Sequence, residues 1–242
     1  MIALEISCTT VPVVLPPLIL WSKSTQNRCL YDDIMSYWMT YDTITFLIDI
    51  GRYQPAFHDF LTDDEKEHEL RFKPVISRRR FVVSRVILKH ILARILPKMK
   101  ISDIVLIRDK DGKIHVKDIP HVNISLSYYG TNIVITVGKR KIGSDIERVR
   151  PLLDKKITAS PVFNDCRFAE GEERMRQVIH VWTLVESYAK LYDTNPYPLL
   201  NSCLPFKNAE FVSYYIDQHM IFSLASIEKN LTDILVWLEI ET

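Results

Sequence analysis

The chain has 242 residues, of which 47% are hydrophobic and 25% are charged, as is ordinary for a folded globular protein. Its 31 lysines and arginines nearly balance its 30 aspartates and glutamates, for a formal charge of +1, so an overall field for binding nucleic acid is absent. The four cysteines form no CxxC pair, which argues against a disulfide framework or a zinc site. We expect a cytoplasmic protein with reduced thiols.

The first forty residues differ in pattern from the rest of the chain. The apolar stretch Val11–Trp21 is interrupted by prolines and is shorter than the roughly 20 continuous apolar residues of a membrane-spanning helix. A secretory signal has a positively charged segment before its apolar region, but no lysine or arginine precedes this stretch. Met35 and Met39 both come shortly before the first strand pattern. We therefore expect residues 1–40 to be an N-terminal extension, or the product of a misassigned start, and we expect no membrane partner.

The next region combines one strand with two helices. Thr43–Ile50 is rich in β-branched residues and is predicted to be a buried strand. Thr62 and Glu65 have the spacing of a capping box, which predicts a short helix that ends before Pro74. A longer helix with one apolar face is predicted over Ser77–Leu96.

Short strands dominate the remainder. They are predicted at Ile104–Arg108, Ile114–Val116, Asn123–Ser127, Asn132–Val137, Ile142–Ile146, Phe211–Ile216, Met220–Ala225 and Leu231–Ile240. A turn at Asp111-Gly112 joins the first two into a hairpin. One more helix is predicted over Gln177–Tyr192, and residues 150–176 show no clear pattern. The order of elements predicts an α+β fold of two similar α/β halves, at 41–138 and 139–242.

Two acidic motifs in the second half are candidates for chemistry. Asp145 and Glu147 lie two residues apart on a predicted strand, so they point to the same side. Neighbouring carboxylates repel each other unless a cation or a proton intervenes, and oxygen ligands of this kind suit magnesium. Two exposed acids at a solvated strand end would give the same pattern. Glu186 and Lys190 are four residues apart on a predicted helix, which is also the spacing of an ordinary surface pair.

Basic residues cluster on the first long helix. They are Arg78-Arg79-Arg80, Arg85 and Lys89. Arginine suits bidentate phosphate recognition, although a solvated helix face or a nucleic-acid-binding surface would give the same pattern. No Walker loop, HExxH, GxSxG or GxGxxG motif occurs in the sequence, which excludes several large enzyme classes.

Taken in chain order, these segments resemble the surfactin-type 4′-phosphopantetheinyl transferases. Ile142–Glu147 (IGSDIE) is similar to the family's hydrophobic-Gly-x-Asp-hydrophobic-Glu motif, and Trp182–Lys190 (WTLVESYAK) to its Trp-x-x-Lys-Glu-x-x-x-Lys. Asn123–Ser127 (NISLS) resembles Asn-hydrophobic-Ser-His-Ser. Asp111–Lys113 (DGK), otherwise a simple hairpin turn, stands where the family has Gly-Lys-Pro. The resemblance extends over about residues 43–240.

The resemblance implies a pseudo-twofold arrangement of the two halves, with coenzyme A in the cleft between them. The implied reaction transfers the 4′-phosphopantetheine moiety of coenzyme A to a serine of an apo acyl or peptidyl carrier protein, with adenosine 3′,5′-bisphosphate as the second product. Asp145, Glu147 and Glu186 would hold Mg²⁺ together with the diphosphate of coenzyme A. Glu186, or a water molecule, would accept the serine proton, and Lys190 would neutralise phosphate or orient Glu186.

The same resemblance implies contacts to coenzyme A in the first half. Arg80 would bind the adenosine 3′-phosphate, and Lys113 and Ser125 would contact other phosphates. The carrier protein is expected to be acidic, so exposed residues of the helix between Arg78 and Lys89 are a candidate docking surface. Because two internal halves suffice for such a site, we expect a monomer.

The chain departs from the family pattern at four positions. Leu126 replaces a phosphate-binding histidine, Val185 replaces a lysine, and Glu65 and His68 stand where relatives often carry basic residues. Each lost charged contact costs about 1.5–3 kcal/mol, so we expect weakened affinity for coenzyme A. These departures motivate an alternative, a non-catalytic paralogue that binds carrier protein or coenzyme A without transfer. A nucleic-acid-binding module that uses the basic helix is a third hypothesis.

Overall fold

The chain folds into two compact units. The computed structural model describes residues 28–50, 55–110, 112–151, 155–201, 206, 208–216, 219–227 and 233–238. Within this described part, the N-terminal unit comprises residues 28–139 together with 233–238, and the C-terminal unit comprises residues 140–227. The predictions made for residues 1–27, which include Val11–Trp21, lie outside the described residues.

A four-stranded sheet forms the centre of the N-terminal unit. Its strands, in spatial order, are β4 (Asn123–Tyr129), β5 (Asn132–Gly138), β1 (Thr43–Asp49) and β9 (Asp233–Leu238). β5 is antiparallel to both of its neighbours, whereas β9 runs parallel to β1. The sequence pattern groups residues 233–238 with the second half of the chain, but the structure pairs them with β1. A backbone pairing between such distant segments leaves no local signal in the sequence.

Three α-helices lie in the described part of this unit, besides short 3₁₀ helices at Pro55–Phe60 and Ile101–Asp103. The α-helices are α1 (Arg28–Thr40), α2 (Asp63–Glu69) and α3 (Val75–Ile95). The predicted capping box is confirmed at the start of α2. There the Thr62 hydroxyl accepts a hydrogen bond from the Glu65 amide at 3.3 Å, and the Glu65 carboxylate accepts one from the Thr62 amide at 3.0 Å. The predicted long helix is confirmed as α3.

The core of the N-terminal unit lies between α3 and one face of the sheet. Leu88 and Leu92 of α3 belong to the same buried cluster as Phe46 of β1 and Ile135 of β5. Ile34 of α1 adds a further buried side chain to this cluster. The apolar spacing of the helix and the alternation of the strands therefore meet in one core, which provides the hydrophobic stabilisation of the unit.

The predicted hairpin is confirmed beside this sheet. It consists of β2 (Leu106–Arg108) and β3 (Ile114–Val116), which are antiparallel. Gly112 adopts a φ of +89° in the turn, a conformation that glycine reaches without steric cost. Asp111, the other residue of the predicted turn, lies outside the described residues.

The C-terminal unit contains a three-stranded antiparallel sheet crossed by one long helix. The strands, in spatial order, are β6 (Ile142–Arg148), β8 (Met220–Ser226) and β7 (Glu210–Tyr215). The helix α5 (Gly171–Tyr192) packs against β6 and β8. The helix begins at Gly171, before the predicted start at Gln177. The sequence pattern missed its first two turns because the charged residues there hide the apolar period.

A second layer covers the outer side of α5. It includes two short helices, α4 (Lys155–Thr158) and α6 (Pro196–Leu199), and a 3₁₀ helix at Pro161–Phe168. Phe163 and Leu200 of this layer share a buried apolar cluster with Trp182 of α5. Trp182 is therefore a core residue of the C-terminal unit.

The predicted α+β class is confirmed by these small, mainly antiparallel sheets and their helices. The pseudo-twofold relation between the two halves stays a prediction. In the part of the chain that the structure describes, no helix has both the length and the apolar character needed to cross a membrane.

Candidate active site

Gly143 allows β6 and α5 to pack at very short distance. A Cβ atom added to Gly143 would lie 2.1 Å from the carbonyl oxygen of Ser187 and 2.4 Å from the amide nitrogen of Leu191. Both are backbone atoms of α5 and cannot move aside alone, so only glycine fits here. Asp145 and Glu147 follow on the same face of the strand as Gly143. The glycine therefore brings both carboxylates to the helix that carries the second acidic motif.

A buried network of hydroxyl groups fixes α5 on the sheet. The Ser187 hydroxyl lies 2.7 Å from the carbonyl oxygen of Thr183 and 2.9 Å from that of Ser223, both of which accept. The Ser223 hydroxyl is hydrogen-bonded to those of Thr183 at 2.7 Å and Ser213 at 2.9 Å. Ser213 also bonds His180 Nε2 at 2.9 Å. A buried polar group without a hydrogen-bond partner destabilises the fold. The network therefore opposes rotation or sliding of the helix, because either movement would break these bonds.

The two acidic motifs meet at this packed contact. Asp145 is almost fully buried, with 3% of its side chain exposed, and its Oδ1 accepts from Lys190 Nζ at 2.8 Å. Lys190 also donates to the carbonyl oxygen of Ser144 at 2.9 Å. The Glu186 carboxyl lies close enough to that of Asp145 for the two groups to influence each other's ionisation. Asp145, Glu147 and Glu186 are called the carboxylate cluster below.

The cluster holds excess negative charge. Burial, and next the charge of Asp145, raise the pKa of the Glu186 carboxyl well above its ordinary value, although Lys190 acts in the opposite direction. Burial and Asp145 also raise the pKa of Glu147, which Arg150 partly offsets through an ion pair of 3.3 Å. The site therefore favours uptake of a proton or of a cation.

The chemistry of the carboxylate cluster fits a hard divalent cation such as Mg²⁺. Carboxylate oxygens are the ligands that Mg²⁺ prefers, usually together with phosphate oxygens, and a divalent charge would neutralise the excess. In the described conformation, the Lys190 ammonium forms an ion pair with the Asp145 carboxylate. Within the described ranges, no three His, Cys, Asp or Glu residues are arranged as a ready metal site. The magnesium ligand set therefore stays a prediction.

The predicted coenzyme-binding residues lie in the N-terminal unit. Arg80 donates to the carbonyl oxygen of Gly130 through Nε at 2.7 Å and also through Nη2, which holds the turn between β4 and β5. Ser125 is buried on β4. The Lys113 amide donates to Asp109 at 2.9 Å in the β2–β3 hairpin. Each has a local structural role, and their binding of phosphate stays a prediction.

Two of the basic residues of α3, Arg85 and Lys89, are buried instead of facing solvent. Arg85 is 4% exposed and Lys89 is 2% exposed. Lys89 Nζ donates to Glu65 Oε2 at 2.5 Å and to the carbonyl oxygen of Phe60 at 3.0 Å. Arg85 stacks over the Phe81 ring at 4.9 Å, and burial lowers its pKa. The alternative of a solvated helix face is therefore wrong for these two residues, and their burial keeps them from a carrier protein or a nucleic acid at this surface.

The structure explains two departures from the family pattern. Val185 is fully buried in the apolar layer outside α5, where it shares a cluster with Phe163 and Leu200. A lysine there would carry its charge into this cluster. Glu65 is the buried partner of Lys89, so its acidic group serves the packing of the N-terminal unit.

Two functional features were not predicted from the sequence. The hydroxyl network has no recognisable motif, because its members come from three separate elements. Arg150, the ion-pair partner of Glu147, was not singled out either. The signal was available in the run Arg148-Val149-Arg150 directly after the acidic motif.

Comparison with known proteins supports the same family. The chain is 24% identical over 135 residues to 4′-phosphopantetheinyl transferase psf-1 of Bacillus pumilus, covering 54% of this chain and 58% of that protein. It is 27% identical over 82 residues to a 4′-phosphopantetheinyl transferase of Bacillus subtilis, covering 33% of this chain and 37% of that protein. It is 21% identical over 134 residues to 4′-phosphopantetheinyl transferase ffp of Bacillus subtilis, covering 54% and 59%.

These matches confirm the resemblance to the 4′-phosphopantetheinyl transferases that the motifs indicate. The matched regions span less than two thirds of the length of these curated relatives, 58% for the first and 59% for the third. No protein-family model matches the chain.

Proposed function

We propose that this protein transfers the 4′-phosphopantetheine moiety of coenzyme A to a serine hydroxyl of an apo acyl or peptidyl carrier protein. The main support is the contact between Gly143 and α5, because it joins the two acidic motifs shared with the family into one cluster. The similarity to three 4′-phosphopantetheinyl transferases agrees with this reaction. We further propose a cytoplasmic monomer.

The reaction forms one phosphorus–oxygen bond and breaks another. The serine oxygen attacks the phosphorus that bears the pantetheine arm, and the bond from that phosphorus to the bridging oxygen of the diphosphate breaks. The bridging oxygen leaves with its electron pair on adenosine 3′,5′-bisphosphate. Glu186 accepts the serine proton, a role for which burial suits it, because burial raises the pKa of its carboxyl and makes the carboxylate a stronger base.

Asp145, Glu147 and Glu186 are the residues proposed to hold Mg²⁺. When bound, the ion supplies neutralisation of the charge that the diphosphate carries and develops. Lys190 then has two candidate partners, Asp145 as in the described structure and the diphosphate itself. The small residues under α5 keep the acidic groups in register, and such positioning is a main source of rate in group transfer. Arg80, Lys113 and Ser125 are proposed to bind the other phosphates of coenzyme A.

The direct test is the intact mass of an apo carrier protein after incubation with this protein, coenzyme A and Mg²⁺. We expect a mass increase of one phosphopantetheine arm, which EDTA abolishes and added Mg²⁺ restores. Carrier proteins of both acyl and peptidyl type are offered as acceptors. Tight binding of coenzyme A without any mass increase on all of them would reject the transferase and support the non-catalytic paralogue.

A further inference from the structure

Two internal cations lie against the carboxylate cluster. Lys190 Nζ is 2.8 Å from Asp145 Oδ1, and Arg150 Nη2 is 3.3 Å from Glu147 Oε2. The side chain of Arg150 is 38% exposed, whereas that of Glu147 is 16% exposed. Arg150 is therefore the more solvent-accessible partner of this ion pair.

The ion pair between Arg150 and Glu147 is exchangeable. A part-exposed pair contributes at most about 1 kcal/mol, so another partner for either group can replace it. Arg150 lies two residues beyond the last residue of β6, Arg148, and directly before Pro151. A cation that binds Glu147 must compete with the guanidinium, because two positive charges on one carboxylate repel each other.

We propose that Arg150 is an internal counter-ion that a divalent metal ion displaces from Glu147 and that then binds a phosphate group of coenzyme A. A guanidinium is well suited to the second step, because its planar donors match phosphate oxygens. The inference rests on the proposed function, since it concerns the order in which the metal ion and coenzyme A enter that site. Arg150 then lowers the affinity of the site for the metal ion and raises its affinity for coenzyme A.

The first test uses Mn²⁺ alone, without coenzyme A or carrier protein, and measures the free ion by its electron paramagnetic resonance signal. We expect Arg150→Gln to bind Mn²⁺ about fivefold more tightly than the natural protein, because the competing pair is lost. Arg148→Gln is the matched control. It removes the same charge from an exposed residue at the end of the same strand, and its Mn²⁺ affinity should stay within about twofold of the natural value.

The second test measures the dissociation constant of coenzyme A in saturating Mg²⁺. Arg150→Gln should bind coenzyme A about tenfold more weakly, the typical loss of one charged contact. Arg150→Lys keeps the charge and should recover most of this affinity, which a purely structural role of Arg150 would not produce. Arg148→Gln should match the natural protein in this measurement as well.

Three results would overturn the inference. Weaker Mn²⁺ binding by Arg150→Gln would mean that Arg150 orients Glu147 as a metal ligand instead of competing for it. Unchanged affinity for both Mn²⁺ and coenzyme A would mean that Arg150 serves only the local fold. If the natural protein itself bound no Mn²⁺, the proposed metal site would fail and this inference with it. The first two failures leave the proposed function intact and can thus be told apart from the third.

Discussion

The long helices of the two units bury acidic groups in opposite ways. In the N-terminal unit, Glu65 has a dedicated buried partner, Lys89, and α3 packs on its sheet mainly through aliphatic side chains. In the C-terminal unit, α5 packs on β6 through Gly143 and on β8 through hydroxyl groups, and three carboxylates gather where the elements meet. A matched charge pair stabilises packing, whereas an excess of carboxylates binds a proton or a cation.

The largest expected effect concerns activity and comes from Glu186→Gln. The change keeps the shape of the side chain but removes the proposed base and proposed metal ligand, so transfer to the carrier protein should fall by about 10²–10⁴-fold. The melting temperature of the metal-free protein should stay the same or rise, because one of the mutually repelling charges is gone. Transfer is measured by carrier mass, and melting by circular dichroism. Natural activity in this variant would remove Glu186 from the mechanism.

Glu65→Gln provides the opposite case in the N-terminal unit. It leaves the ammonium of Lys89 buried without its ionic partner, and breaking a buried pair in this way costs about 3–5 kcal/mol. We expect the free energy of unfolding to fall by about the lower of these values, because glutamine can still accept a hydrogen bond. Mn²⁺ affinity of the folded protein should not change. A loss of metal binding without a loss of stability would contradict the division of roles between the two units.

Gly143→Ala tests the packing that brings the acidic motifs together. The added methyl group meets backbone atoms of α5, so we expect a loss of about 3 kcal/mol, at the upper end of the cost of overpacking. Metal affinity and transfer should fall with it. Gly171→Ala is the control in the same unit. Gly171 has a φ of +57° but open space around its Cβ position, so only a cost of about 1 kcal/mol is expected. Equal effects of the two changes would mean that the close contact is unimportant.

The smallest effect is a pH dependence of stability that originates at His180. Burial lowers the pKa of this imidazole to about 4, whereas in the unfolded chain it is about 6.5. The unfolded state therefore takes up a proton first as the pH falls, and the folded state loses stability between about pH 6.5 and 4. We expect a loss of about 2 kcal/mol between pH 7 and 5 from this group. Urea unfolding at both pH values measures it.

The control for His180 is a pair of substitutions. His180→Gln removes the titrating group and should remove this part of the pH dependence, even if it lowers stability at both pH values. His121→Gln, at an exposed histidine, should keep the full dependence. If His180→Gln lost as much stability on acidification as the natural protein, the effect would come from other groups.

The sequence by itself determined the features that depend on neighbours along the chain. The capping box of Thr62 and Glu65, the β2–β3 hairpin and the shared face of Asp145 and Glu147 all follow from spacing, because the helix and strand periods dictate where nearby side chains point. The resemblance to 4′-phosphopantetheinyl transferases came from the same short motifs. None of these features requires knowledge of what lies on the other side of a helix or strand.

Tertiary structure alone decided what each side chain meets. The pairing of β9 with β1, the burial of Arg85 and Lys89, and the contact of Arg150 with Glu147 are examples. The charges of α3 looked like a solvated stripe because periodicity shows that residues share a face but not whether that face is covered. In the sequence, Gly143 is only one position of a motif, and the packed helix shows that its missing side chain makes room for backbone atoms. Burial and pairing depend on segments far apart in the chain, and the local pattern carries no record of them.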